Sequence, residues 1–249
     1  MFTVAERDQL LRDLVDRAGA DPSVTAAALV GSAARGESDR WSDVDLALRL
    51  SPGEEPARAA AHWTAVLAEL VDVAHHLDVW SGPALYRVFL LESSLQLDLS
   101  FWPAAEFAST GEPFALLFGT ANPPRVPVEP DLTTVVGWAW LYALHTRAAL
   151  ARDRPWQAVQ MLDGLCDQLI TLACLRHELP GHQGRGVDRL PPAVLTRLAH
   201  TIVGSPVPEG LAPAFAVAIT LLIEEIAHLD PALAGRLRAP LTSLTEAAE

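Results

Sequence analysis

Residues 31–48 read GSAARGESDRWSDVDLAL, and the interpretation of the whole chain turns on them. They begin where a short apolar run, Val24 to Val30, comes to an end. A run of that length closed by a glycine predicts a buried strand. Gly31 allows a tight turn and close approach to a ligand, and Ser32 offers a hydroxyl and an amide. A short helix expected from Ala33 to Gly36 would present its N-terminal dipole to an anion. A Gly-Ser at a strand end is by itself a weak phosphate signal.

The same stretch closes on Ser42-Asp43-Val44-Asp45, which leads into a strand expected over Val44–Leu50 and ended by Ser51-Pro52-Gly53. Positions i and i+2 of a strand point to one face, so Asp43 and Asp45 stand side by side. Like charges at that spacing repel and raise one pKa unless a cation neutralises them. Magnesium, shared between carboxylates and substrate phosphates, suits that arrangement. The plainer alternative is a polar strand end on the surface. Asp98 tips the balance. It lies within LQLDLSF, where an aspartate needs a partner or a functional reason. Alternation puts Gln96, Asp98 and Ser100 on one face and the leucines on the other. If that strand lies beside the Asp43 strand, three carboxylates meet.

Working outward, helical spacing over residues 5–18 predicts a first helix. Glu55 to His75, rich in alanine and leucine, predicts a second, with His75-His76 serving its C-terminus. Leu77–Trp80, Tyr86–Leu91 and Leu95–Trp102 read as strands, the last two joined by a turn at Glu92-Ser93-Ser94. Pro123, Pro124, Pro127 and Pro130 then punctuate a linker. From about Leu132 the apolar spacing is helical, with breaks near Pro155, Pro180–Gly186, Pro191-Pro192 and Gly204–Pro213. The expected fold is α+β: a mixed twisted sheet with helices over 1–125, followed by an all-helical bundle over 130–249.

The formal net charge of -13 argues against nucleic acid as a main partner and favours a cationic small molecule. All 18 basic side chains counted as Lys+Arg are arginines. This excludes a P-loop lysine, a Schiff-base lysine and a lysine nucleophile. Cys166 and Cys174, about 12 Å apart along one helix, are too distant for a disulfide and suit a reducing cytoplasm. The N-terminus carries charge at once and has no apolar signal core. The apolar run Leu211–Ile223 is too short to span a bilayer and reads as a buried helix, so no membrane partner is expected.

Gly31-Ser32, Gly36, Asp43-Val44-Asp45 and Asp98 together resemble the polymerase-β-type nucleotidyltransferase superfamily. Its motif is Gly-Ser, a glycine a few residues on, Asp-x-Asp, then a carboxylate on a later strand. A minimal catalytic domain followed by helices is similar to the aminoglycoside and lincosamide antibiotic nucleotidyltransferases. The resemblance covers about residues 24–102. It implies that Asp43 and Asp45 bind Mg2+ and that Gly31 and Ser32 hold the triphosphate of ATP or another nucleoside triphosphate. An acceptor hydroxyl then attacks the α-phosphorus and releases pyrophosphate. Asp98 is left with two roles, third metal ligand or general base. Superfamily members often pair, which leaves a homodimer open.

Arg35 is either a phosphate contact or a solvated loop arginine. Arg147, Arg176 and Arg185 are candidates to reach triphosphate oxygens, and Glu92, Glu106, Asp163 and Asp167 to line an acceptor pocket. His177 and His182, five apart and interrupted by Pro180 and Gly181, cannot share a helical face and are rejected as a zinc site. Trp138, Trp140 and Tyr142 read as core. Two other functions compete with a small-molecule enzyme. One is a nucleotidyltransferase acting on a partner protein or RNA, as in toxin–antitoxin pairs; the other is an inactive nucleotide sensor. The acidic balance argues against RNA, and retention of all three carboxylates argues against the sensor.

Overall fold

The computed structural model describes residues 1–111, 113–126 and 130–246, and the backbone alone at Pro208 and Glu209. The chain divides into two compact units, Met1–Val128 and Glu129–Glu249. Pro127 of the expected linker lies outside the described residues.

The first unit is α+β. Helix α1, Val4–Ala20, starts at a capping box in which Thr3 and Glu6 satisfy each other's backbone amides. It lays Leu10, Leu14 and Ala18 on the core. Strand β1, Val24–Val30, ends directly in the short helix α2, Gly31–Arg35, and β2 follows at Val44–Leu50. Helix α3, Pro56–Ala68, takes proline at its first turn, where no intrahelical amide partner is lost. Four more strands complete the unit: β3 Val73–Ser81, β4 Ala84–Leu91, β5 Gln96–Trp102 and β6 Phe114–Phe118. They form one sheet in the order β3-β4-β5-β2-β1-β6. The β2–β5 pair runs parallel and the other pairs antiparallel. Trp63, Leu67, Phe89, Leu97 and Leu99 fill the core between this sheet and the helices.

Two expectations change here. The second helix stops at Ala68 rather than His75, and His75-His76 belong to β3, where they pair with Leu90 and Phe89. Alanine and leucine propensity carried the helical reading too far; ladder hydrogen bonds to β4 override it. Strand β6 was not foreseen. Its sequence FALLF shows no alternation, and it is an edge strand held by β1 alone.

The second unit is helical: α4 Leu132–Ala151, α5 Pro155–Arg176, α6 Pro192–Ala199, α7 Pro208–Leu229 and α8 Pro231–Thr242. Its core draws Val136, Ala143, Leu162, Leu169, Ile219 and Leu222 from α4, α5 and α7. Helix α7 begins at Pro208 and carries Pro213 inside it, so the expected break is narrower than the sequence implied. The apolar run in α7 is also part of a longer helix. Gly210–Leu229 and α5 are each long and apolar enough to cross a membrane by length and composition, yet α5 and α7 line the helical core. Trp138 and Trp140 are 50% and 38% exposed, which corrects their reading as core. Helix α4 is apolar on every side, so its sequence gives no signal of which face turns inward.

Candidate active site

The site forms where β1 ends and β2 and β5 begin. Parallel pairing sets Asp45 opposite Asp98 and Val44 opposite Leu97. Val44 and Leu97 are buried on the core side, so the carboxylates are forced to the other face. Asp43, one strand pleat before Asp45, joins them. A carboxylate oxygen from each of the three lies within 4.8 Å of the others, and all three side chains are half-buried. Gln96, on the same face, donates its amide to Asp98 Oδ1 at 3.0 Å and reaches Asp43 Oδ2 at 3.4 Å. Burial pushes the Asp98 pKa up to about 6; the Gln96 hydrogen bond opposes this and the Asp43 charge adds to it. Three half-buried carboxylates converging this way form a donor set that fits a divalent cation.

Gly31 is fixed by this arrangement. It sits at φ +65°, and a β-carbon there would lie 2.5 Å from Asp45 Oδ2. The turn therefore brings the start of α2, with Ser32 half-buried, against the carboxylates. Gly36, at φ 70°, closes α2, its amide donating to Ala33 and Ser32 carbonyls. Arg35 is exposed and ion-paired to Glu37.

The loop from Gly36 to Asp43 is held by contacts that the sequence reading missed. The Arg7 side chain extends from α1, only 6% exposed, and donates to the carbonyl oxygens of Asp39 and Ser42 and to the Asp8 carboxylate. The Ser42 hydroxyl and the Trp41 amide bond to Asp39 Oδ1 at 3.1 and 2.8 Å. One signal was available: Arg7 falls on the stripe shared with Leu10 and Leu14, where an arginine is out of place unless it has a task. Farther along the site face Trp102 donates to Ser100 at 2.9 Å and packs edge-on to Tyr86.

The other candidates have surroundings of their own. Arg176 makes a two-point ion pair with Glu225, joining α5 to α7 inside the helical unit, rather than standing ready for a ligand. Arg147 is exposed and Arg185 contacts Gln183. Glu106 pairs with Arg125, while Glu92, Asp163 and Asp167 are exposed. His177 caps α5 and His182 opens a short 3-10 turn.

Residues 7–99 match the family model described as nucleotidyltransferase domain. No curated protein matches the chain. Among solved structures it is similar to an aminoglycoside 6-adenyltransferase from Bacillus subtilis, at 10% identity and TM-score 0.43, covering 97% of this chain and 99% of that one. It is also similar to a nucleotidyltransferase-like protein from Exiguobacterium sibiricum 255-15, at 12% identity and TM-score 0.39, covering 93% and 79%.

Proposed function

We propose that this chain, which carries a nucleotidyltransferase domain at residues 7–99, moves a nucleoside monophosphate from magnesium-ATP to a hydroxyl of a small molecule and releases pyrophosphate. The observation that supports this reading most is the meeting of Asp43, Asp45 and Asp98 within 4.8 Å against the Gly31 turn.

Magnesium, when bound, neutralises the triphosphate and favours in-line displacement at the α-phosphorus. Asp43 and Asp45 would hold it, with Asp98 as either third ligand or base. The Ser32 hydroxyl and the α2 amides would donate to the phosphate oxygens, and Arg35 would join them on leaving Glu37. As base, Asp98 takes the proton from the acceptor hydroxyl, whose oxygen bonds to the α-phosphorus as the bond to the pyrophosphate oxygen breaks. In the metal-free protein burial raises the Asp98 pKa to about 6; magnesium beside it would lower that value and keep Asp98 ionised, the form a base needs. We read the acceptor as an antibiotic of the aminoglycoside or lincosamide class and the compartment as cytoplasm. The net charge of -13 supports an acceptor other than nucleic acid, and the free Cys166 and Cys174 suit a reducing compartment.

The test is mass spectrometry of candidate acceptors after incubation with mixed nucleoside triphosphates and magnesium. An adduct mass names both acceptor and base. No pyrophosphate with any acceptor, together with triphosphate affinity indifferent to magnesium, would overturn the reading.

A further inference from the structure

The outward side chains of a sheet with one face on the core are normally polar. On β4, and on β3, which is exposed on both faces, the Asp98 face is largely apolar instead. The Asp98 face carries His75, Leu77, Val79 and Ser81 of β3 and Ala84, Tyr86, Val88 and Leu90 of β4. Leu77, Val79 and Leu90 are 60%, 45% and 51% exposed.

Strand register fixes how these side chains stand to the carboxylates. Asp45 is opposite Asp98, Asp98 opposite Val88, and Val88 opposite Leu77, so one row crosses four strands. Gln96, Leu90 and His75 form the row on one side; Ser100, Tyr86 and Val79 form the row on the other. Neighbours in such rows are about 5 Å apart. The apolar surface therefore starts about 5 Å from the Asp98 side chain and extends about 5 Å farther to Leu77. On the other half of the same face, Phe107 buries Ala26, Ala28 and Ala47. That cover touches β4 at Tyr86, through Trp102, and among the described residues has no member on β3; an exposed apolar patch beside a reaction centre has the chemistry of a ligand surface.

We propose that Leu77, Val79, Val88 and Leu90 are the acceptor platform. The acceptor is a hydroxyl compound with an apolar face, which narrows the reading above away from a uniformly polar aminoglycoside; it lies on these side chains while its hydroxyl meets Asp98. This rests on the nucleotidyl-transfer reading above. A second copy paired along the edge strand β3 is the rival occupant. Edge pairing uses the β3 backbone and leaves Val88 and Leu90, one strand inward, unexplained.

The experiment compares n-octyl β-D-glucoside with methyl β-D-glucoside, which share their sugar hydroxyls and differ in the alkyl chain. Binding is measured by calorimetry below the micelle concentration, to the full chain loaded with magnesium and α,β-methylene-ATP. The octyl compound should bind at least about tenfold tighter, consistent with burying several methylenes. The triple variant Leu77→Gln, Val79→Thr, Leu90→Gln should erase that preference while keeping its melting transition and its nucleotide affinity. Asp98→Asn should weaken octyl glucoside as well, an effect that a merely greasy surface would not show. The platform is overturned by equal affinities, by a preference that survives the triple variant, or by indifference to Asp98→Asn. A dimer in sedimentation that the triple variant dissolves also overturns it. Failure of the nucleotide analogue to bind instead overturns the transfer reading, and the acceptor assignment with it.

Discussion

Asp45 and Asp98 are register partners across the parallel β2–β5 seam, although 53 residues separate them in sequence. Their partnership is set by the buried neighbours Val44 and Leu97, since a one-residue slip of either strand would turn that strand's carboxylate into the core.

Removing Asp43 or Asp45 should therefore separate activity from stability. Asp43→Ala and Asp45→Ala are each expected to lower nucleotidyl transfer by about 10²-fold or more, the scale of losing a main electrostatic element. The metal-free fold should melt no earlier, because a like charge is relieved. Turnover at saturating magnesium and a thermal melt decide it; either variant retaining most of its turnover removes these residues from the metal site.

Gly31→Ala tests the tie between the turn and the carboxylates. A side chain at φ +65° costs about 1–2 kcal/mol, and its β-carbon would displace the Asp45 carboxylate. Both the melting temperature and the affinity for Mn2+, followed by electron paramagnetic resonance without nucleotide, should fall. Unchanged metal affinity would show that Asp45 is not a ligand.

The raised pKa of Asp98 gives a signed pH dependence. The folded value of about 6 lies above the ordinary carboxylate value, so between the two the folded state holds more protons than the unfolded one. Stability of the metal-free protein should thus be greatest below that window and decline as pH rises through it, levelling off above about pH 6. Solvent screening of a half-buried group limits the change to on the order of 1 kcal/mol. Asp98→Asn should flatten the slope. In turnover, the same variant is expected to lose roughly 10²–10⁴-fold. Preserved magnesium-nucleotide affinity assigns Asp98 as base, and a parallel loss of affinity assigns it as ligand.

Arg7→Met keeps the length of a buried side chain but withdraws its donors from the Asp39 and Ser42 carbonyls. Both carbonyls stay within reach of water, so the loss is that of ordinary hydrogen bonds, about 1 kcal/mol. The loop before Asp43 should also loosen, visible as faster amide hydrogen exchange over residues 37–42 and weaker Mn2+ binding. Normal exchange in that loop would confine Arg7 to a packing role.

Much of the site was legible because it is local or strictly periodic. Asp43 and Asp45 are two apart on one strand, and Asp98 interrupts an apolar alternation, so residue types and spacing pointed to shared chemistry. What the sequence could not show was adjacency set by topology. Nothing in QLDLSF states that β5 lies beside β2, and the donation from Gln96 to both Asp98 and Asp43 follows only from that pairing. The error at His75-His76 has the same origin, since a partner strand ten or more residues away outweighed local helix preference. Trp138 and Trp140 misled because large aromatic side chains signal burial in general and carry no statement of which face of an apolar helix is inward.

The two halves of the chain have separate interiors. Phe89 and Leu97 anchor one, Leu169 and Leu222 the other, and the two clusters share no residue. A cavity cut at Leu97 is therefore lined by residues of the half that holds the carboxylates, and one cut at Leu222 by residues of the helical half.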